Sequence, residues 1–568
     1  MKAQIKNPFK PAILTSLKGY NGTKFSKDVM AGIIVGIVAI PLAIAFGIAS
    51  GVGPTEGLVT AIIAGFIISM FGGTKVQIGG PTGAFIVIIY GIIQQYGLSG
   101  LMIATVMAGI LLVLMGFCHL GNVIKFVPYP VVVGFTGGIA LTIFSTQMND
   151  LFGLGLTNVP ADFIDKWICY IQNFVKIDLW SLAIGLGSLL IIVFVPKISK
   201  KIPGSLIAII FATLFVWLLK EYTDIAGIHG ITTIADLYDL PSGMPAPKLP
   251  SIELKDGQTI MNVIQELFPA AFTIAMLGAI ESLLSAIVAD GVIGDKHNSN
   301  TELIGQGIAN IASPFFGGIP ATGAIARTMT NINNGGRTPV AGIIHALVLL
   351  FVLLLFGNLV GLIPMPCLAA VLIMVSYNMS GWKTFVSLAK NPKSDFAVLI
   401  TTFVLTVVFD LTIAIEIGLL LAIVLFLKRT SESTDIKVFH NEIDPNNDTD
   451  INLNEEKLKI PDGVEVYEID GPYFFGIANK FDEVMLETNE KPNVRIIRMR
   501  KVPFIDSTGL HNLETLCLQA KKEGIKIVLS GVNDNVRKTF QKAGFEKYLS
   551  EEYICSNINE ELEKAAKM

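Results

Sequence analysis

The sequence predicts an α-helical polytopic membrane protein, fourteen segments arranged as two inverted halves of seven, followed by a small α/β domain. Three observations carry that reading. Composition is the first, since 52% of the 568 residues are hydrophobic and only 15% charged, with a mean hydropathy of +0.62, far from a soluble profile. A repeat is the second: GGPTGA at Gly79 to Ala84 returns as GGIPATGA at Gly317 to Ala324, with Thr82 and Thr322 standing 240 residues apart. The third is an abrupt change from apolar to polar sequence at Arg429.

Residues 1–27 carry lysines but no short apolar core with a small-residue cleavage site, so they read as a retained cytoplasmic segment, not a signal peptide. The first seven segments lie near 28–50, 55–71, 80–96, 99–118, 122–146, 178–196 and 204–219. After a polar stretch from Glu221 to Gln258, the second seven lie near 262–288, 301–315, 320–332, 338–356, 358–377, 395–409 and 411–427. With the N-terminus inside, the inner loops hold Lys75, Lys125, Lys197, Lys200, Lys201, Lys296, Arg337, Lys383, Lys390, Lys393, Lys428 and Arg429, as the positive-inside rule asks. Asp162 to Lys176 is apolar with interspersed charge and reads as an interfacial helix. Asp290, Asp295 and Lys296 read as a solvated inner loop. The five cysteines have neither CxxC nor His-linked spacing, so no disulfide framework or metal site is indicated.

Seven is odd, so the second half enters the membrane from the opposite side and the halves are related by an axis in the membrane plane, a transporter architecture. The third and tenth segments then correspond. Each is broken by Gly and Pro, and half-helices meeting head to head would aim free backbone N–H groups and positive dipole ends at a common point, where an anion fits. The competing reading is that the glycines only permit close helix packing; a second copy at the corresponding place argues against it. Arg327, one to two turns into the tenth segment, is costly unless it faces a cavity or a partner. It reads either as a positive field for the anion or as one half of an ion pair with Glu281. Glu281 and Ser285 share one face of the eighth segment, and a buried carboxylate there can take a proton or a cation. His345 reads as a packing residue.

From 429 to 462 the chain reads as a polar, net acidic linker. Residues 463–568 then alternate: strands VEVYEI, YFFGIA, VRIIRM and KIVLSG, with helices KFDEVMLETN, DSTGLHNLETLCLQAKKEG and VRKTFQKAG. No Walker A, nucleophile elbow or zincin motif occurs, so no enzyme is indicated.

The stretch Glu302 to Ile343 (ELIGQGIANIASPFFGGIPATGAIARTMTNINNGGRTPVAGI), DVMAGIIVGIVAIPLAIAFGIASGVGP in the first segment and QIGGPTGAF in the third resemble the SulP family of anion transporters. FIDSTG at Phe504 to Gly509 resembles the STAS domain attached to that family's membrane part. The resemblance implies a core domain (segments 1–4 and 8–11) moving against a gate domain (segments 5–7 and 12–14), and a homodimer. It places the anion between Thr82, Gly83 and Ala84 on one side and Gly323, Ala324, Ala326 and Arg327 on the other, with Leu42 and Phe46 lining the pocket. Relatives often carry Gln or Glu at the Leu42 position. In sodium-dependent bicarbonate members an Asp stands at the Glu281 position and a Thr at that of Ser285, but a further Thr falls on Ile325 here, which weighs against sodium and for proton coupling. Asp506 and Ser507 resemble the phosphorylated site of anti-sigma-factor antagonists, Ser507 as acceptor; Asp506 as a helix N-cap is the simpler reading. The expectation is a secondary active transporter of small anions (sulfate, bicarbonate or dicarboxylate class) in a plasma membrane of the bacterial inner-membrane type. It would work by alternating access as a proton symporter, with its STAS domain cytoplasmic and open to a protein partner, and with no cofactor and no nucleic-acid partner. The alternatives are a sodium-coupled bicarbonate symporter, an anion exchanger, a nucleobase permease of the same fold, or an anion-gated sensor.

Overall fold

The computed structural model describes residues 9–124, 127–156, 159–160, 162–198, 203–222, 227–238, 246–247, 260–390, 392–409, 411–443, 458–477, 480, 484, 492–555 and 558–566. The chain forms two compact units, the first ending at Ala422 and the second beginning at Ile423.

In the first unit α1 (Gly22–Ala49) opens on Asn21, whose side chain accepts from Lys24 N, and carries Pro41 inside it. Then come α2 (Pro54–Phe71), α3 (Ile86–Phe117), α4 (Tyr129–Thr146), α5 (Phe163–Gln172), α6 (Leu179–Ile198) and α7 (Gly204–Tyr222). The later elements are α8 (Ile260–Ile293), α9 (Ser299–Phe315), α10 (Ile325–Asn333), α11 (Val340–Gly361), α12 (Met365–Ser380) and α13 (Lys393–Val408), followed by α14 (Leu411–Ser433), within which the division between the units falls. Among the described residues nine helical stretches are long and apolar enough to cross a membrane; α9, α10 and α13 are shorter. The segments expected at 80–96 and 99–118 run together as α3, interrupted at Gly97, whose φ of 67° a side chain would resist. The stretch expected to be interfacial forms α5, which docks on α4 through Trp167 Nε1 donating to Ser145 Oγ at 3.0 Å. It buries Lys166 and Tyr170 and exposes Ile164, Ile168 and Ile171.

Packing sorts the helices into two sets. α1, α2, α3, α8, α9, α10 and α11 pack chiefly on one another, as do α4, α6, α7, α12 and α13, and α12 and α7 also touch α1. Small residues set the close crossings: a Cβ on Gly307 of α9 would fall 2.6 Å from Gly109 O of α3, so only glycine lets these backbones meet. Glu302, fully buried on α9, accepts from Gly73 N at 2.8 Å, Thr74 N at 2.9 Å and Gln306 Nε2 at 2.8 Å, giving partners to backbone that leaves α2. Asp28 does the same for α11, accepting from Arg337 N and from Thr338 N and Oγ1.

The second unit holds a five-stranded sheet in the order β3 (Asp435–Phe439), β4 (Val464–Asp470), β5 (Val494–Lys501), β6 (Lys526–Ser530) and β7 (Ile554–Cys555). Its first pair is antiparallel and the rest parallel. Helices α15 (Ser507–Glu523), α16 (Asp534–Ala543) and α17 (Ile558–Ala565) accompany it. The alternation expected of VEVYEI, VRIIRM and KIVLSG is observed. Two details differ. The stretch expected as linker contains β3, an edge strand in register with β4 from Asp435 opposite Asp470 to Phe439 opposite Val466. YFFGIA is not a strand, because only Tyr473 bridges, to Ile505, before the chain turns helical at Phe475. Most of the helix expected at KFDEVMLETN lies outside the described residues.

Candidate functional site

The two Gly-rich breaks meet. Gly79 and Gly80 form β1 and Thr322 and Gly323 form β2, an antiparallel ladder pairing Gly79 with Gly323 and Gly80 with Thr322. Ala324 N extends it by donating to Ile78 O at 3.0 Å. Backbone that leaves helical geometry must find partners elsewhere, and here each break satisfies the other. From the ladder the chain turns directly into helix on both sides, through a 3₁₀ turn at Gly83–Phe85 into α3 and at Ile325 into α10. Two helix N-termini thus begin from paired strands.

Arg327 explains one glycine. Its guanidinium, 2% exposed, donates to Gly79 O at 3.4 Å and to Pro81 O. Gly80 has φ 145°, and a Cβ there would stand 2.3 Å from Arg327 Nη1. The ion pair with Glu281 entertained from the sequence is not formed among the described residues. Instead the arginine clamps carbonyls of the opposite break, and Glu281 Oε2 accepts from Thr82 Oγ1 at 2.8 Å.

Ser285, four residues on from Glu281, reaches a different partner: its Oγ donates to Thr328 Oγ1 at 3.3 Å, and that oxygen also accepts from Ile78 N at 3.1 Å. Thr322 Oγ1 donates to Gly278 O at 2.9 Å and Asn331 Nδ2 to Val76 O at 2.8 Å. Side chains of α8, α10 and Thr322 thus tie α8 and α10 to each other and to the backbone of the segment before β1.

Thr82, Ala84 and Ala324 are buried, whereas Ala326 is exposed and Ile325 is 40% exposed. Phe46 and Ala84 belong to one apolar cluster against which Leu42, half-buried, packs. Gly83 lies against three side chains; a Cβ on it would come 3.5 Å from Phe46 Cε1, 3.1 Å from Ile143 Cδ1 and 2.9 Å from Met379 Sδ. Ile143 and Met379 escaped sequence reasoning, since an apolar residue in an apolar segment carries no mark. Gln77 escaped too. Its buried amide covers Gly323, where a Cβ would fall 1.4 Å from Nε2.

The loop expected to be solvated is cross-tied. Lys75 Nζ lies 2.5 Å from Asp295 Oδ2, a bond that holds the Asp295 carboxyl below its ordinary range, and Asp290 meets His297 Nδ1 at 2.7 Å. His345 is buried beside Gly65. In the second unit Asp506 caps α15, its Oδ1 accepting from Gly509 N at 2.8 Å while Oδ2 accepts from Phe475 N at 3.1 Å. Ser507, the first residue of that helix, is exposed.

The sulfate permease family profile matches residues 25–402 and the STAS domain profile residues 457–565. The chain is 41% identical to YvdB of Bacillus subtilis (strain 168) over 96% of its own length and 98% of that protein's. It is 30% identical to the bicarbonate transporter BicA of Synechocystis sp. over 90% of its length and 89% of that protein's. Among solved structures, the transmembrane domain of a cyanobacterial BicA matches with a TM-score of 0.59 at 30% identity, covering 71% of this chain and 98% of that one. The murine Slc26a9 anion transporter in its inward-facing state matches in fold, with a TM-score of 0.85 at 19% identity over 98% of this chain and 94% of that one. The chain is a multi-pass membrane protein of the sulfate permease family of anion transporters, with a C-terminal STAS domain.

Proposed function

We propose that this protein is a secondary active transporter that binds a small oxyanion of the sulfate or bicarbonate class at the junction of the two half-helices and carries it by alternating access with a proton. One observation carries the reading: two helix N-termini start side by side from a shared ladder, the arrangement that attracts negative charge through unpaired N–H groups and helix dipoles. Thr82, Gly83 and Ala84 contact the anion from one side and Gly323, Ala324 and Ala326 from the other. Arg327 holds the ladder and supplies positive field, while Leu42 and Phe46 close the apolar wall. α1, α2, α3 and α8 to α11 form the moving core, and the set containing α4, α6, α7, α12 and α13 the gate. Glu281 is the proton site. Sodium has less support, because Ile325 offers no oxygen and the Ser285 hydroxyl is engaged with Thr328. The protein works as a homodimer in a bacterial inner membrane, N-terminus and STAS domain in the cytoplasm.

Uptake of labelled sulfate and bicarbonate into proteoliposomes under imposed proton or sodium gradients tests this. Wild type accumulates one of these anions when the outside is acidic, and Glu281→Gln loses the stimulation by the gradient while exchanging anion for anion. Absence of gradient-dependent flux of any anion would end the transporter reading, and stimulation by sodium alone would replace the proton.

A further inference from the structure

The Thr82 side chain breaks a local rule. It stands at the N-cap of the turn that begins the first half-helix, with extended φ and ψ of −133° and 160°, the place where a threonine hydroxyl ordinarily accepts from the backbone two or three residues on. No such cap bond is made. The hydroxyl instead donates across 199 residues of sequence to Glu281 Oε2 at 2.8 Å.

We infer that Thr82, itself an anion contact, converts the protonation state of Glu281 into anion affinity by reversing the direction of its hydroxyl. This rests on the anion site proposed above. An ionised carboxylate only accepts, so Glu281 as carboxylate holds the Thr82 proton and leaves the hydroxyl's lone pairs facing outward, toward the half-helix ends. An anion there meets an acceptor. When Glu281 takes a proton from water on the open side, the acid becomes the donor: its O–H bonds to Thr82 Oγ1, and the Thr82 proton is released to point at the anion. One hydrogen bond changes hands and the anion gains a donor. The groups around Glu281 fit a single titrating switch. Of the elements packed on α8, α3 carries no charged residue and only Tyr90 and Tyr96 as titratable groups, and α9 carries Glu302, whose carboxylate is held by Gly73, Thr74 and Gln306. α10 carries Arg327, fixed on the carbonyls of Gly79 and Pro81.

The test is the affinity of the full chain in nanodiscs for labelled sulfate, with bicarbonate, fumarate and chloride as competitors, from pH 5.5 to 8.5. Wild type binds more tightly as pH falls, by about tenfold, the worth of one hydrogen bond to a charged partner. Thr82→Val keeps Glu281 and its direct charge effect but lacks the hydroxyl, so its change shrinks to about twofold; Thr82→Ser restores the wild-type profile. Glu281→Gln cannot titrate, and its Nε2 donates to Thr82 Oγ1 at any pH, so it binds at the wild-type low-pH level throughout. A Thr82→Val profile as steep as wild type, or a wild-type profile that is flat, overturns the switch while leaving the anion site standing. If Thr82→Val fails to bind at all, Glu281→Gln decides: affinity fixed at the high-pH level rejects the switch. If wild type binds none of the four anions, the site reading fails and the switch with it.

Discussion

Gly80 and Arg327 depend on each other. The guanidinium occupies the space a side chain at residue 80 would need, and Gly80 holds a φ of 145° that other residues resist. Gly80→Ala is expected to destabilise the protein by on the order of 1–3 kcal/mol through backbone strain and collision. Gly83→Ala presses on the flexible Met379 thioether and costs less. Thermal unfolding of the two variants in detergent, followed by size-exclusion, checks the order; equal midpoints would show that the arginine swings aside freely. The glycines themselves were legible in the sequence, because Gly and Pro in an apolar run mark a break. What the arginine does was not. Its donors serve carbonyls some 246 residues away at Pro81, and nothing in IARTMTN says whether the charge meets a carboxylate, a carbonyl or a ligand.

Helix starts show which local signals survive folding. In the STAS domain Asp506 does what its position before an apolar helix predicts, capping α15 and also holding Phe475 N. Asp506→Ala is expected to weaken that helix end by about 0.5–2 kcal/mol. Hydrogen exchange across residues 507–523 of the full chain measures it, and unchanged protection would show that packing alone fixes the helix. Cys517 on the same helix is pushed up to about 12 by burial, which makes it a core thiol and not a reactive one. β3 was missed because IKVF sits in a polar, acidic stretch, and only its pairing with β4 makes it a strand. YFFGIA was overread for the opposite reason. Its apolar run looks like a strand, yet Phe474 stands at a bend and Ile477 in the helical stretch that follows, both buried in the core under the sheet.

For the whole molecule, the membrane character, the inverted halves and the attached α/β domain could all be read in composition, odd segment count and repeated motif, since these are properties of long stretches. The contacts across the repeat could not, because they join residues that are remote along the chain. That remoteness has a consequence for how the protein is made. Gly79 and Gly80 leave the ribosome long before Thr322 and Gly323 exist, so the first half must wait in the bilayer with the polar backbone of β1 lacking its ladder partner. Biogenesis therefore passes through an unfinished half whose exposed break invites quality control until the second half arrives. Residues 1–258 and 259–568 expressed separately are each expected to be degraded. Produced together in one cell they should accumulate as a complex that takes up anion, with yield in the membrane fraction as the readout; stable accumulation of the first half alone would show that lipid, water or another protein can stand in for the missing strand.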